Sequence, residues 1–347
     1  MYWGLYTLER NWGQINMKNI KIFHWTNGHD YRIQHLVKTL SKTNNVCYID
    51  SIYDINNNDD ILFLESRHKL NDVIVNKILS FKGKTILYTV DDGCYITVED
   101  FDRILHKIDG WLSLLKNSKV GTLLSDKLIL IPRYTIPYIN IDDVKLETKI
   151  NKIVFIGRTT GTYKLNGKNW RIESLNKIYE SEFLRNNFDG WIINDKIIDV
   201  EYQKDEYNKT FKFVRTDENI SEINWIEKLK THTLSLCVPG HTALGYRHPQ
   251  SMACMATMVG NFDLSNDIYP FMFSDKLKNI SYTVKNDLSD FTEVLEESLN
   301  NREKTKEYAL KAFEVYKDYY EVNPDNTYKS HIWKLIVENF NQLNIDV

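Results

Sequence analysis

The sequence predicts an α/β protein made of two doubly wound halves, and three observations carry that expectation. Short runs rich in Ile, Leu, Val and aromatic residues alternate with amphipathic helical stretches, the pattern of parallel sheets covered by helices. The alternation pauses around "NIDDVKLETKIN" and restarts with "KIVFIGRTTG". At 347 residues the chain is longer than one hydrophobic core comfortably serves.

The first half opens with a strand at "NIKIFHWT". A loop and an amphipathic helix follow in "NGHDYRIQHLVKTLSK". "NVCYIDS" and "DILFLES" read as strands, "NDVIVNKILSF" as a helix and "KTILYTVDD" as another strand. "FDRILHKIDGWLSLLKN" is expected to be helical, and "KLILIPRYTIPYI" runs extended toward a Pro-marked connection. In the second half "KIVFIGRTTG" is a strand entering a Gly-containing loop. "RIESLNKIYESEFL", "NWIEKLKTHTLSLCVPG", "YRHPQSMACMATMVGNF", "ISYTV" and "DFTEVLEESLNN" continue the alternation. After Pro324, the residues Ile332, Leu335, Ile336, Phe340 and Leu343 fall at helical spacing, giving a terminal helix with one apolar face. The expected organisation is an extension over 1–16, a first half over 17–148, a second half over 149–323 and a terminal helix over 324–347.

Composition narrows the class. Hydrophobic residues at 42% and charged residues at 26% describe a globular chain. Mean hydropathy is −0.43 and no apolar run reaches about 18 residues, so no membrane span is expected. The N-terminus lacks a basic-then-apolar leader, which with the absent span points to a cytoplasmic protein. Cys47, Cys94, Cys237 and Cys254 are scattered, with no CxxC pair, and read as thiols of a reducing compartment. The formal net charge of −3 gives no sign of a nucleic-acid or membrane partner.

The most informative stretch is "PGHTALGYRHPQSMACMATMV", from Pro239 to Val259. A helix starting near Tyr246 would bury Met252, Met255, Ala256 and Val259. The loop around Gly240 would leave backbone N–H groups beside Arg247 at the helix start, an arrangement suited to an anion. A plain helix cap with a carboxylate-paired arginine is the other reading. "GRTTG" looks like a phosphate loop but lacks the GK[ST] ending of a P-loop.

Two doubly wound halves with a phosphate-suited loop in the second resemble the GT-B glycosyltransferases. The stretch around Arg247 is similar to the C-terminal motif of the exostosin-like glycosyltransferases, as is the continuation "NFDLSNDIYPFMFSD". The layout also resembles the DNA β-glucosyltransferases of T-even phages, through "KTILYTVDD", "VFIGRTTG" with "NWRIESL", and "GYRHPQSMACMATMV". These resemblances imply two Rossmann-like domains facing a central cleft. The first would be the acceptor side and the second would bind the nucleotide sugar, with the final helix crossing back to the first. Such families carry a glutamate, bonding the nucleotide ribose, three residues after the arginine; this chain has Gln250.

The implied chemistry is transfer of a sugar from a nucleotide donor, a UDP-sugar, to an acceptor hydroxyl, inverting and without metal or other cofactor. Such transfer needs a base and a way to stabilise the leaving diphosphate. Asp91, at the end of a parallel strand, is the preferred base, with Asp92 second and His29 in "TNGHD" a third candidate beside Asp30. An Asp-Asp-Gly turn reads the same residues without chemistry. A metal-binding DxD reading of Asp100 and Asp102 is weakened by their place at a helix start. Arg247, Arg158 and Arg171 are the candidates for diphosphate contact, with Gly240, Tyr246, His248 and Gln250 completing the donor set. His24, His29 and His35 fall on a strand, a loop and a helix and are not spaced as a metal set. The acceptor implied by the phage resemblance is 5-hydroxymethylcytosine in DNA; the exostosin resemblance implies a glycan. Residues 1–150 hold 19 Lys+Arg against 18 Asp+Glu, so overall charge does not favour DNA. A monomer is expected. A non-catalytic nucleotide-sugar-binding protein is the competing class, supported by Gln250.

Overall fold

The computed structural model describes residues 17–23, 33–65, 70–88, 102–113, 124–132, 139–158, 164–165, 168–193, 213–215, 220–238, 247–261 and 280–347. The first sheet comprises β1 (Asn19–Phe23), β2 (Asn45–Ile49), β3 (Ile61–Glu65), β4 (Lys84–Tyr88), β5 (Gly110–Ser113) and β6 (Leu128–Leu130). Its order is β2-β1-β3-β4-β5-β6, with every pairing parallel. Helices α1 (Gln34–Leu40) and α2 (Asp72–Ser80) lie between strands, and Asn71 caps α2 by accepting from Ile74 N. All five residues of β3 are buried, as a central parallel strand requires. The side-chain period of two splits them: Ile61 and Phe63 join Ile20, Ile22 and Leu36 on one face, while Leu62 and Leu64 join Ile78, Leu87 and Trp111 on the other.

The second sheet is built from β7 (Ile150–Arg158), β10 (Phe188–Ile193), β11 (Val214–Arg215), β12 (His232–Leu236), β13 (Thr257–Gly260) and β14 (Ser281–Thr283); β8 (Lys164–Leu165) and β9 (Lys168–Asn169) form a small antiparallel pair. The order is β11-β10-β7-β12-β13-β14, again all parallel. Among the described residues its helices are α3 (Trp170–Glu180), α4 (Glu182–Asn186), α5 (Glu222–Thr231), α6 (Arg247–Ala253), α7 (Phe291–Asn300) and α8 (Arg302–Tyr319). Ser181 and Ser221 cap α4 and α5. Along β7, Val154 and Ile156 enter one core layer and Ile153 and Phe155 the other. Lys149, the residue before β7, donates to the carbonyls of Leu229, Lys230 and His232 at 2.8, 2.8 and 3.0 Å, tying the connection between the sheets to the C-terminus of α5.

Two expectations are corrected. "FDRILHKIDGWLSLLKN" is not a helix beyond Asp102 over its described part: a short 3₁₀ turn at Leu105–Lys107 leads into β5. Trp111 and Leu112 are a buried apolar pair, which helix and strand share, and Gly110 breaks the helical register. A Cβ there would lie 2.5 Å from Ile129 Cδ1 on the next strand. Asp109 fixes the strand start by accepting from Lys84 Nζ and Thr85 N. In the second half, α6 stops at Ala253. Met255 N bonds Met252 O, Ala256 N bonds Ser251 O, and Met255 takes φ of 49°, the left-handed stop usually given to glycine. Val259 therefore lies in β13, not on the helix.

The terminal helix α9 (Ser330–Gln342) packs on the first sheet. Ile332, Ile336 and Phe340 are fully buried with Ile20, Phe63 and Ile86, and Ile345 follows them. Leu335 stays half-buried, so the buried stripe is narrower than its spacing suggests. We expect Phe340→Ala to lower stability to urea by about 3–5 kcal/mol, and Leu335→Ala to cost clearly less. Equal losses would remove the assigned stripe.

His232 gives a pH dependence. Its ring is buried, with Nδ1 2.7 Å from Lys228 O and Nε2 3.1 Å from Asp189 Oδ2, and Asp189 also takes Lys228 Nζ. Burial pulls its pKa below the usual 6.5, against the raising effect of Lys228 O and Asp189. The unfolded chain therefore binds this proton first, so its contribution to stability is complete above pH 6.5 and is lost as pH falls through the lower folded value. His232→Asn should flatten the decline in urea midpoint below about pH 6.5; an unaltered slope rules out His232 as its source.

Candidate functional site

A doubly wound sheet binds ligands where strand order reverses, at the C-terminal ends of its strands. In the second sheet the chain leaves β7 toward β10 and β11, then returns to its other side through β12 and β13, so the reversal lies between β7 and β12. Three sequence-predicted arginines meet there. Arg158 ends β7 and is exposed. Arg171, in the first turn of α3, donates from Nη1 to the Arg158 carbonyl at 2.7 Å. Arg247 opens α6, and its Nη2 donates to the Ile156 carbonyl. Its guanidinium carbon sits 4.5 Å from the Phe155 ring centroid and 5.1 Å from that of Trp225. This places positive charge at the end of the central strand.

Gln250 does not lie on an open surface. It is fully buried, and its Oε1 accepts from Trp225 Nε1 at 2.8 Å. An indole N–H can only donate, so the amide oxygen must face Trp225 and the amide nitrogen points away, buried with no hydrogen-bond partner among the described residues. A glutamate here would answer Trp225 equally well but would bury a charge. The neutral side chain thus has a packing reason. His248 is also buried, at 2% exposure, and so does not present its side chain to solvent. Behind α6, Ser251 Oγ bonds Ser235 Oγ and the Arg247 carbonyl at 2.8 and 2.7 Å, locking the helix to β12. Burial pushes the Cys237 thiol up and the Cys254 thiol up to about 12, so neither is a nucleophile at neutral pH.

Asp91, Asp92, His29, Asp30, Asp100, His24, Cys94, Gly240 and Tyr246 lie outside the described residues. The strand leading to Asp91, β4, is central in the first sheet and ends at the fully buried Tyr88. His35 is buried on α1 with Nδ1 2.8 Å from Asn326 O, a structural role. Among the described residues no three His, Cys, Asp or Glu side chains gather as a metal set, and no helix is long and apolar enough to cross a membrane. Sequence reasoning did not single out Phe155 and Trp225, which grip Arg247. Both read as ordinary core residues, and only their pairing across β7 and α5 reveals the contact.

No protein-family model matches this chain, and no curated protein matches it. Solved structures do. An α-glucosyltransferase in complex with UDP-glucose and DNA containing an abasic site superposes with a TM-score of 0.57 at 13% identity, over 94% of this chain and 99% of that one. An α-glucosyltransferase with UDP and a 13-mer DNA containing an HMU base gives 0.53 at 13% identity, over 94% and 100%. TarM gives 0.52 at 14% identity over 82% of this chain, which spans only 54% of TarM. The two parallel, helix-flanked sheets of this chain have the GT-B architecture of the glycosyltransferases to which it is similar.

Proposed function

We propose that the protein is a glycosyltransferase that moves a sugar from a UDP-sugar to an acceptor hydroxyl. The observation that carries this reading is the meeting of Arg158, Arg171 and Arg247 at the strand-order reversal of the second sheet in a GT-B fold. A departing nucleoside diphosphate gains negative charge, and guanidinium groups already held in place stabilise it without reorganising. Arg247 is held on both counts, by a carbonyl and by two aromatic faces. The competing reading as a non-catalytic binder loses its main support, because burial against Trp225 accounts for Gln250 without any loss of activity.

For the acceptor we favour 5-hydroxymethylcytosine in DNA. The segments leaving β1, β3, β5 and β6 at the C-terminal edge of the first sheet are 24–32, 66–69, 114–123 and 133–138. Their sequences carry Arg32, Arg67, Lys69, Lys116, Lys119 and Arg133 against one carboxylate, Asp30. The segment leaving β4 carries Asp91, Asp92, Glu99 and Asp100 and no basic residue, and the segment leaving the edge strand β2 carries Asp50, Asp54, Asp59 and Asp60 and no basic residue. A basic excess in the sequences after β1, β3, β5 and β6, with carboxylates in the sequence after β4, suits a polyanion whose hydroxyl must give up a proton. The similar α-glucosyltransferases bound to DNA support the same choice. A glycan is the second reading, favoured by the likeness to S. aureus TarM in complex with Fondaparinux, alpha-GlcNAc-glycerol and UDP.

Asp91 acts as base in this proposal, with direct attack on the anomeric carbon and inversion. Asp91→Asn should cut turnover by about a hundredfold or more while leaving UDP affinity nearly intact; that signature at Asp92→Asn or His29→Ala instead would move the base. The likeness to enzymes named α-glucosyltransferases favours the opposite stereochemical course. With UDP-glucose as donor, a β-linked product by NMR supports inversion and an α-linked product removes it.

Arg247→Ala should weaken UDP binding by about 2–4 kcal/mol, measured by calorimetry on protein shown to be folded. Unchanged affinity takes Arg247 out of the site. Transfer to hydroxymethylated duplex should survive EDTA and fall steeply as salt rises, whereas a glycan acceptor predicts a shallow salt dependence.

A further inference from the structure

Arg247 sits where the second sheet opens. Ile153 N bonds Asn187 O on the β10 side, and alternate residues of a parallel strand turn their main-chain groups to alternate neighbours, so Val154 and Ile156 face β12. The register between β7 and β12 ends at Val154 and Ser235. The Ile156 carbonyl therefore lies beyond the last β7 residue that β12 pairs, and Arg247 Nη2 donates to it. The guanidinium stands where the neighbouring strand has left the ladder.

Aromatic rings fix the guanidinium from two directions, and a glycine makes room for one of them. Phe155 and Gly157 are i and i+2 on one face of β7. A Cβ on Gly157 would lie 2.7 Å from Phe155 Cζ and 3.0 Å from its Cε1. The ring thus lies back along the strand, over the space that the glycine leaves. In that position its centroid is 4.5 Å from the Arg247 guanidinium carbon. The Trp225 ring lies at 5.1 Å, and its Nε1 donates to Gln250 Oε1 at 2.8 Å. Gln250 follows Arg247 by three residues on α6, so the helix that carries the cation also anchors its second ring. Phe155, Gly157, Trp225 and Gln250 are buried, whereas Arg247 is half-buried.

We infer that Gly157 and Phe155 are positioning residues for the donor diphosphate, acting through Arg247. The inference rests on the proposed reading that Arg247 meets that diphosphate. An arginine side chain left free samples many rotamers, and a ligand that must order it loses affinity in doing so. Here the carbonyl and the rings order it before any ligand arrives. A side chain at position 157 would displace the Phe155 ring, whose far end can swing while the strand stays paired, and would release the cation on that face. The effect falls on phosphate recognition and leaves the nucleoside part of the donor untouched.

The test uses the full-length protein with Gly157→Ala, with Phe155→Leu and with both, each shown to be folded by circular dichroism. Affinities for UDP and for uridine, which lacks the diphosphate, are measured by NMR titration. Each single change should weaken UDP binding about fivefold or more and leave uridine within about twofold. The double variant should match Phe155→Leu within about twofold, because the ring that Gly157→Ala displaces is already gone. Unchanged UDP affinity in the single variants overturns the inference. Equal losses for UDP and uridine overturn it too, as damage to packing alone. Losses that multiply in the double variant do the same, since Gly157→Ala would then act by a route other than the ring. A parent that binds no UDP, or whose UDP affinity is indifferent to Arg247→Ala, overturns the reading of the donor site and this inference with it. That outcome is distinct from an Arg247-dependent parent with indifferent variants.

Discussion

Every pairing within the two six-stranded sheets is parallel, and much of the structure follows from that constraint. A parallel pair cannot close with a tight turn, so each strand must be followed by a crossover that returns over the sheet. The crossovers cover both faces, which is why β3 and the inner part of β7 are buried without alternation. The same constraint sends every strand's C-terminal end to one edge. Arg158, Arg171 and Arg247 are far apart in sequence, yet they meet because β7 ends there and α3 and α6 begin beside it.

Holding a guanidinium at such an edge has a cost that the local sequence offsets. Arg247 is half-buried and its charge is partly desolvated. The Ile156 carbonyl accepts from it, and the Phe155 and Trp225 faces lie on the cation. Trp225 then turns its one polar atom to Gln250 Oε1, so the aromatic ring and the glutamine share a single arrangement. A charged side chain at position 250 would add a buried anion near the half-buried Arg247, where the cost of desolvating the carboxylate can outweigh the attraction. The departure from glutamate fits the electrostatics of this one corner.

Much of the layout was legible in the sequence because period and punctuation agreed. β1 to β4 and α2 carried clear apolar runs or a cap, and "KIVFIGR" announced β7. β5 was misread because a two-residue apolar pair after a charged stretch fits either period, and only Gly110 against Ile129 decides it. The end of α6 was misread because Met255 adopts a left-handed conformation with no glycine to signal it. The 18-residue α8 was not singled out. Its buried face is made of Thr305, Ala309 and Ala312 before Phe313 and Tyr316, and small residues leave little apolar stripe to see. For the candidate site, residue types and spacing pointed to the three arginines, but the carbonyl and the rings that hold Arg247 come from β7 and α5, elements distant in sequence.

The second half reaches the first through two covalent routes, and they act differently. The connection before β7 is pinned to its own half by Lys149, whose ammonium spends its three donors on carbonyls at the end of α5. Burial draws its pKa down to about 8, yet the three acceptors favour the charged form, so the pin is strongest while the lysine keeps its proton. The route after α8 is pinned to the other half. Ile332, Ile336 and Phe340 enter the first core, each contributing about 1.5–3 kcal/mol before entropy is subtracted. The polar turn ahead of them adds orientation more than energy, since its Lys42–Asp325 pair is exposed and screened. Apolar burial therefore decides that α9 docks on the first sheet, and the hydrogen bonds to His35, Thr39 and Lys42 decide in which register.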